Sequence, residues 1–221
     1  MNRLEAVQKE TETALRAADP ALSADAGFVD GLRKYLAELV EWNEAIHLTG
    51  RGRFTRAVAE QVCDSVTMLR CAEEAISERG ETGTKRVADI GSGAGFPGII
   101  WKLVRPDWDL TLIERRERTA AYLARTVVSL GLEGIAVIEG DARAIGADGF
   151  DIVVSKAAGR FPEIIPVAQR IARAGGFYVT AKGDSWEGEL AEAPTGGFEP
   201  AGVRAMGSGR GFAIALRLLS P

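Results

Sequence analysis

The sequence predicts an α/β fold: a mostly parallel sheet with crossover helices, closed by a C-terminal antiparallel hairpin and preceded by a helical extension. Three observations predict it. Residues 1–80 carry helical periodicity and few strand signals. From Arg86 onward short apolar, β-branched runs alternate with helical stretches. The last two strand-like runs are joined through Gly207-Ser208-Gly209 with no helix between them.

Within the extension, Phe28, Leu32, Tyr35, Leu36, Leu39, Val40 and Trp42 recur at three- and four-residue steps, which predicts an amphipathic helix ending near Asn43. Thr55–Ala75 predicts a second one, with Val58, Val62, Val66 and Leu69 on its buried face. Glu78–Lys85, rich in Gly, Thr and Glu, reads as a linker. The expected strands are Arg86–Ile90, Leu110–Ile113, Ile135–Glu139, Ile152–Ser155 and Phe177–Ala181, with helices over Pro97–Val104, Arg116–Leu130 and Phe161–Arg173. Phe198–Met206 and Phe212–Leu219 form the hairpin. The chain divides into an extension over 1–80 and a sheet domain over 81–221.

Composition sets the class. The 221 residues are 46% hydrophobic, enough for a substantial core. No apolar run approaches a membrane span, and Met1–Glu5 lacks the apolar core of a signal peptide, so a cytoplasmic protein is expected. One His and two Cys, Cys63 and Cys71, do not assemble a zinc set; they read as buried reduced thiols, and no metal is expected. Net charge is −4, yet the basic residues cluster, at Arg51, Arg53 and Arg56 and again at Arg115, Arg116 and Arg118. Local patches matter more than the sum for docking on phosphate.

The most informative stretch is Val87–Gly98, Val-Ala-Asp-Ile-Gly-Ser-Gly-Ala-Gly-Phe-Pro-Gly. A strand ends in an acid and breaks into three glycines at alternate positions, a tight turn with unpaired amide donors above the strand ends. Pro97 suits the start of a helix. Such a crevice holds a nucleotide or nucleoside. Gly93–Gly98 also satisfies G-x-G-x-x-G, which leaves a nicotinamide-dependent dehydrogenase or a non-catalytic nucleotide-binding module as alternatives. A carboxylate so near would repel a pyrophosphate, and neither a second substrate domain nor a downstream His is present.

The wider spacing, Asp89-x-Gly91-x-Gly93-x-Gly95, resembles the first motif of class I S-adenosylmethionine (SAM) methyltransferases, which implies a Rossmann-like sheet and SAM as cofactor. Asp89 would help bind the ammonium group of the aminoacyl end. Glu114, 19 residues after Gly95, stands where an acid accepts from ribose hydroxyls. In that class an acid such as Asp141 takes the adenine amino group and the following backbone, here Ala142 and Arg143, the ring nitrogen; Asp141 also suits an N-cap. Phe96 would pack against the cofactor. The fourth strand ends without an Asn-Pro-Pro-Tyr-like run or a cysteine, so neither exocyclic-amine nor pyrimidine-ring methylation is indicated.

Further residues resemble the bacterial small-subunit rRNA guanine-N7 methyltransferases, the glucose-inhibited division protein B family. Glu41–Thr49 is similar to its Trp-Asn…Asn-Leu-Thr segment, with His47 where Asn is usual. Asp64-Ser65 is similar to the end of its His-x-x-Asp-Ser motif, with Gln61 in the His position. Gly91–Gly98 and Lys182-Gly183 match further motifs, and the resemblance spans roughly Leu32–Gly183. It departs at Lys156, where the family's Ser-Arg-Ala becomes Ser155-Lys156-Ala157. It departs also at Asp141–Ala144, with Arg143 inside an altered run, and at Ser208–Gly211, where Gly-Glu-Arg-His is reduced. The resemblance implies methyl transfer from SAM to guanine N7 of 16S rRNA, with rRNA or a small-subunit particle as partner; a monomer is expected. The departures leave open another acceptor, a protein or a small molecule. No catalytic group is identified. Lys156 and Lys182 are expected to position, on phosphate or on the cofactor carboxylate, and Arg51, Arg53, Arg56 and Arg210 to meet the RNA backbone.

Overall fold

The computed structural model describes residues 2–46, 48, 54–146, 149–193 and 197–219. The extension is helical throughout. Asn2 and Glu5 close a capping box on helix α1 (Arg3–Ala18). Asp19 caps the short α2 (Pro20–Ser23), and α3 (Ala26–Ile46) and α4 (Phe54–Ser77) follow. Both long helices run past the expected bounds, because their apolar stripes continue to Ile46 and Ile76.

The sheet has seven strands: β1 (Arg86–Ile90), β2 (Asp109–Glu114), β3 (Ile135–Glu139), β4 (Phe150–Lys156), β5 (Ala172–Lys182), β6 (Phe198–Ala205) and β7 (Phe212–Leu218), in the order β3-β2-β1-β4-β5-β7-β6. The first five are parallel, and β7 runs antiparallel between β5 and β6. Crossovers are made by α5 (Gly98–Val104), α6 (Glu117–Ser129) and α7 (Phe161–Ile171). A short α8 (Trp186–Ala191), which no pattern in the sequence predicts, follows β5. It carries no buried residue and hence no periodic apolar signal. Strand β5 begins five residues earlier than expected, at Ala172: the pair Gly175-Gly176 reads as a break, yet lies within the strand beside a register shift against β4. Helix α5 starts at Gly98, with Pro97 as its N-cap residue.

Alternation along the strands separates two faces. Val87, Leu110, Val154 and Val179 pack with Met68, Leu69 and Ala72 of α4. Ala88, Ile113, Val153 and Tyr178 pack with Phe161, Ile165 and Ala168 of α7. A third cluster joins Val7, Leu15, Leu36 and Leu39 of the extension to Phe96, Ile100, Leu112 and Leu123, so the helices before residue 80 share one core with the sheet. The fully buried Trp101 adds a polar tie, its indole N–H donating to the Ser65 carbonyl at 2.9 Å. Among the described residues no helix is long and apolar enough to cross a membrane.

Candidate active site

Because β2 and β3 lie on one side of β1 and β4 on the other, the strand order reverses between β1 and β4, which opens a crevice at their carboxyl ends. The loop after β1 is built for close approach. Gly91, Gly93 and Gly95 all have positive φ, at 72°, 56° and 100°. A Cβ at Gly98 would collide with Leu112 and Asp89, so the helix start can lie against β1 and β2 only with glycine there. The Gly98 N–H donates to Asp89 Oδ2 at 3.1 Å.

Glu114, at the end of β2, braces the same loop. Its Oε2 accepts from the Gly93 N–H at 3.0 Å, and its Oε1 accepts from the Arg116 N–H and Nε at 2.9 and 3.2 Å. From the other side the Tyr35 and Tyr122 hydroxyls donate to the Ala94 carbonyl at 2.7 and 3.3 Å. Phe96 is buried edge-on against Tyr35, with ring centroids 5.5 Å apart. Nothing local in the sequence signals that the two hydroxyls converge on one carbonyl.

A cavity of about 300 Å³ lies over the strand ends, lined among others by Gly91, Glu114, Asp141, Ala142, Arg143 and Ala157. Five residues singled out in the sequence therefore share one wall system. Asp141 caps the 3-10 turn Ala142–Ala144, its Oδ1 accepting from the Arg143 N–H at 2.8 Å. Arg170 of α7 fixes that turn by donating to the Ala142 and Ile145 carbonyls. A second cavity, of about 480 Å³, is lined by Asp64, Lys156, Ala157, Gly183, Met206 and Arg210 among others. Ala157 borders both cavities and is in the left-handed region at φ 59°, a strained state for a residue with a Cβ.

Two buried polar atoms at this crevice have no hydrogen-bond partner: Asp89 Oδ1 and Lys156 Nζ. Burial, with the Glu114 charge, pushes the Asp89 carboxyl up to about 7, against the Gly98 N–H, the Ser92 hydroxyl and the Lys156 charge, which pull it down. Burial likewise lowers the Lys156 ammonium to about 8, opposed by Asp64 and Asp89. The nearest Asp64 oxygen stands 3.9 Å from Lys156 Nζ, and the Phe96 ring centroid 5.9 Å. An unsatisfied acceptor and an unsatisfied donor, both withdrawn from water, suit a zwitterionic group.

Lys182 lines the second cavity, and its ammonium already has partners within the protein: Glu189 Oε1 at 2.5 Å, the Gly159 carbonyl at 2.9 Å and the face of the Phe161 ring. It ties α8 to the start of α7. Arg56 and Arg210 meet on one carboxylate, each 2.8–2.9 Å from a different oxygen of Glu60. Arg51 and Arg53, with His47, lie outside the described residues. Asp64, noted in the sequence only as part of a motif, accepts at Oδ1 from the Ser208 N–H at 3.2 Å and so orients the hairpin loop.

The comparisons with known proteins agree with this architecture. The family model described as GidB, rRNA small subunit methyltransferase G, matches residues 29–198. A protein named ribosomal RNA small subunit methyltransferase G from Sorangium cellulosum is 34% identical over 182 residues, covering 80% of this chain and 74% of its own. One of the same name from Halorhodospira halophila is 28% identical over 206 residues, 91% and 94% of the two chains. Among solved structures, a SAM-dependent methyltransferase from Aquifex aeolicus superposes with a TM-score of 0.55 at 17% identity, over 83% of this chain and 98% of that one. The fold is thus that of SAM-dependent methyltransferases.

Proposed function

The chain belongs to the GidB family, rRNA small subunit methyltransferase G, and from that premise we propose that it transfers a methyl group from SAM to guanine N7 of small-subunit rRNA. The observation that carries the reading is the pair of unpartnered buried atoms, Asp89 Oδ1 and Lys156 Nζ, beside the glycine turn. SAM ends in an ammonium and a carboxylate, and these two atoms are the acceptor and the donor such an end requires. The residues present therefore fit the cofactor.

When bound, SAM supplies a methyl group activated by its sulfonium. Asp89 accepts from the ammonium and Lys156 donates to the carboxylate. Glu114, each of whose oxygens retains acceptor capacity beyond Gly93 and Arg116, takes the ribose hydroxyls. Asp141, with the Ala142 N–H beside it, reads the adenine edge, the Arg143 N–H being held by Asp141 Oδ1, and Phe96 supports the glycine turn beneath. Guanine N7 carries a lone pair and no proton, so no general base is needed. The work of the chain is alignment and exclusion of water across the border at Ala157. Arg210, which lines the second cavity, and Arg56, joined to it through Glu60, hold the RNA backbone, and Arg51 and Arg53 are assigned the same role from the sequence. The enzyme acts as a monomer in the cytoplasm.

The test is direct. The purified protein is incubated with SAM and small-subunit rRNA or particles from a strain lacking the gene, and nucleosides are analysed by mass spectrometry. The expected product is 7-methylguanosine at one site. Transfer to protein or small molecules, with none to rRNA, would overturn the reading in favour of another acceptor.

A further inference from the structure

We propose that Asp64 is the residue that reads the target base as guanine, accepting hydrogen bonds from the N1–H and the exocyclic amino group of its Watson–Crick edge. The inference rests on the N7 reading above and extends it to the substrate pocket.

Four observations carry it. Asp64 lines the second cavity, which adjoins the cofactor cavity at Ala157, where the base has to lie. Its side chain is 14% exposed, so a contact there is largely shielded from water. Its orientation is fixed, since Oδ1 accepts from the Ser208 N–H. Its Oδ2 is 3.9 Å from Lys156 Nζ, too far for a hydrogen bond, and keeps its lone pairs for another donor.

The chemistry of the acceptor selects such a group. When N7 faces the methyl donor, the opposite edge of guanine presents N–H groups only at N1 and the exocyclic amine. Both are donors, and a carboxylate offers them two acceptors. Adenine presents a bare nitrogen at the first of these positions and would face the carboxylate lone pair to lone pair. As the methyl group transfers, the purine becomes cationic and its N1–H more acidic. A hydrogen bond from it to Asp64 therefore strengthens towards the transition state, so one contact serves selectivity and rate together. Asp184, the other acid at this cavity, is exposed and has no comparable anchor.

The experiment pairs a base change with a residue change. Small-subunit rRNA is assembled by ligation with guanosine or inosine at the mapped target; inosine lacks the exocyclic amine and keeps N7. Wild-type enzyme is expected to favour guanosine by about tenfold or more in kcat/KM, the scale of one hydrogen bond to a charged group. Asp64→Asn keeps an oxygen for the Ser208 N–H but replaces the free acceptor by a donor. It is expected to treat the two RNAs alike within about twofold, a ratio taken for both proteins at saturating SAM because loss of the Asp64 charge also acts on Lys156. A wild type that does not discriminate, or an Asp64→Asn protein that keeps the full ratio, overturns the proposal. If Asp64→Asn turns over neither RNA, the same ratio is taken from competitive RNA binding. Failure of the wild type to methylate the guanosine RNA at all overturns the N7 reading itself, and is thereby told apart from failure of the Asp64 assignment.

Discussion

The Tyr35 hydroxyl donates to the Ala94 carbonyl at 2.7 Å, joining the third helix of the extension to the glycine turn across 59 residues of sequence. The extension is therefore part of the cofactor site's support. Tyr35→Phe removes the shorter of the two bonds to that carbonyl and leaves Tyr122 at 3.3 Å. The expected cost is about 1 kcal/mol, a fall of roughly 2–4 °C in Tm for a chain of this size. SAM affinity should weaken more than in Tyr122→Phe. Thermal melts and calorimetry check both; equal SAM affinity in Tyr35→Phe and wild type would uncouple the extension from the site.

Binding of SAM should depend on pH through Asp89. Only the ionised carboxylate offers the ammonium an opposite charge, and burial holds this carboxyl up to about 7. Below that, affinity is expected to fall by about tenfold per pH unit, with a proton released on binding. Calorimetry in two buffers of different ionisation enthalpy measures that proton. Affinity constant from pH 5.5 to 7.5 would contradict the assignment of Asp89.

The same residue should make the free protein less stable than it could be. The folded carboxyl titrates near 7 and the unfolded one near its ordinary value of 3.8, so the folded state holds the extra proton between them. Stability from this group is thus full at low pH and is lost as pH rises from about 4 to about 7. Asp89→Asn keeps an oxygen for the Gly98 N–H and removes the charge, and a neutral amide costs less to bury than a carboxylate. At pH 8 the variant should unfold at higher denaturant than wild type, with the gap narrowing towards pH 5, while SAM binding is lost. Lower stability at pH 8 would refute this.

How much was legible from sequence follows from how local each feature is. The bounds of β1 and β3 coincide with the reading, because each is an apolar run between turn residues. The glycine turn was legible because its parts are consecutive. The early start of β5 was not, since Gly175-Gly176 carries the signature of a break. Nor could sequence show that Asp64 meets Ser208, or that Arg210 reaches the Glu60 carboxylate already paired with Arg56 one turn away, contacts that span 144 and 150 residues. Lys182 shows the converse: a motif lysine whose ammonium a later helix, through Glu189, turns inward.

Gly211 occupies the position where the resembling family carries His, and the backbone here accepts no side chain. Its φ is 79°, and a Cβ would run into the Lys182 carbonyl at the end of β5. Gly211→Ala is expected to destabilise by about 1–3 kcal/mol, by parting the Lys182–Phe212 register between β5 and β7. A histidine at this position should cost at least as much. Denaturant unfolding of both variants is the check; a stable Gly211→His protein would mean that the loop between β6 and β7 can shift to admit a side chain.

The paired arginines should act on RNA through charge alone. Arg56 and Arg210 are 64% and 75% exposed and both reach Glu60, so neither is needed to fill the core. As phosphate contacts they carry no base information. Each alanine variant is therefore expected to weaken rRNA binding uniformly across sequences and to reduce the magnitude of the salt slope by about 1, with SAM affinity and melting temperature nearly unchanged. Glu60 sharpens the test. Glu60→Gln leaves both guanidinium groups without their carboxylate, so the site gains net positive charge and RNA should bind more tightly at low salt. That gain should vanish in the variant lacking both arginines. Weaker binding in Glu60→Gln would show instead that the carboxylate's role is to hold the two arginines in place.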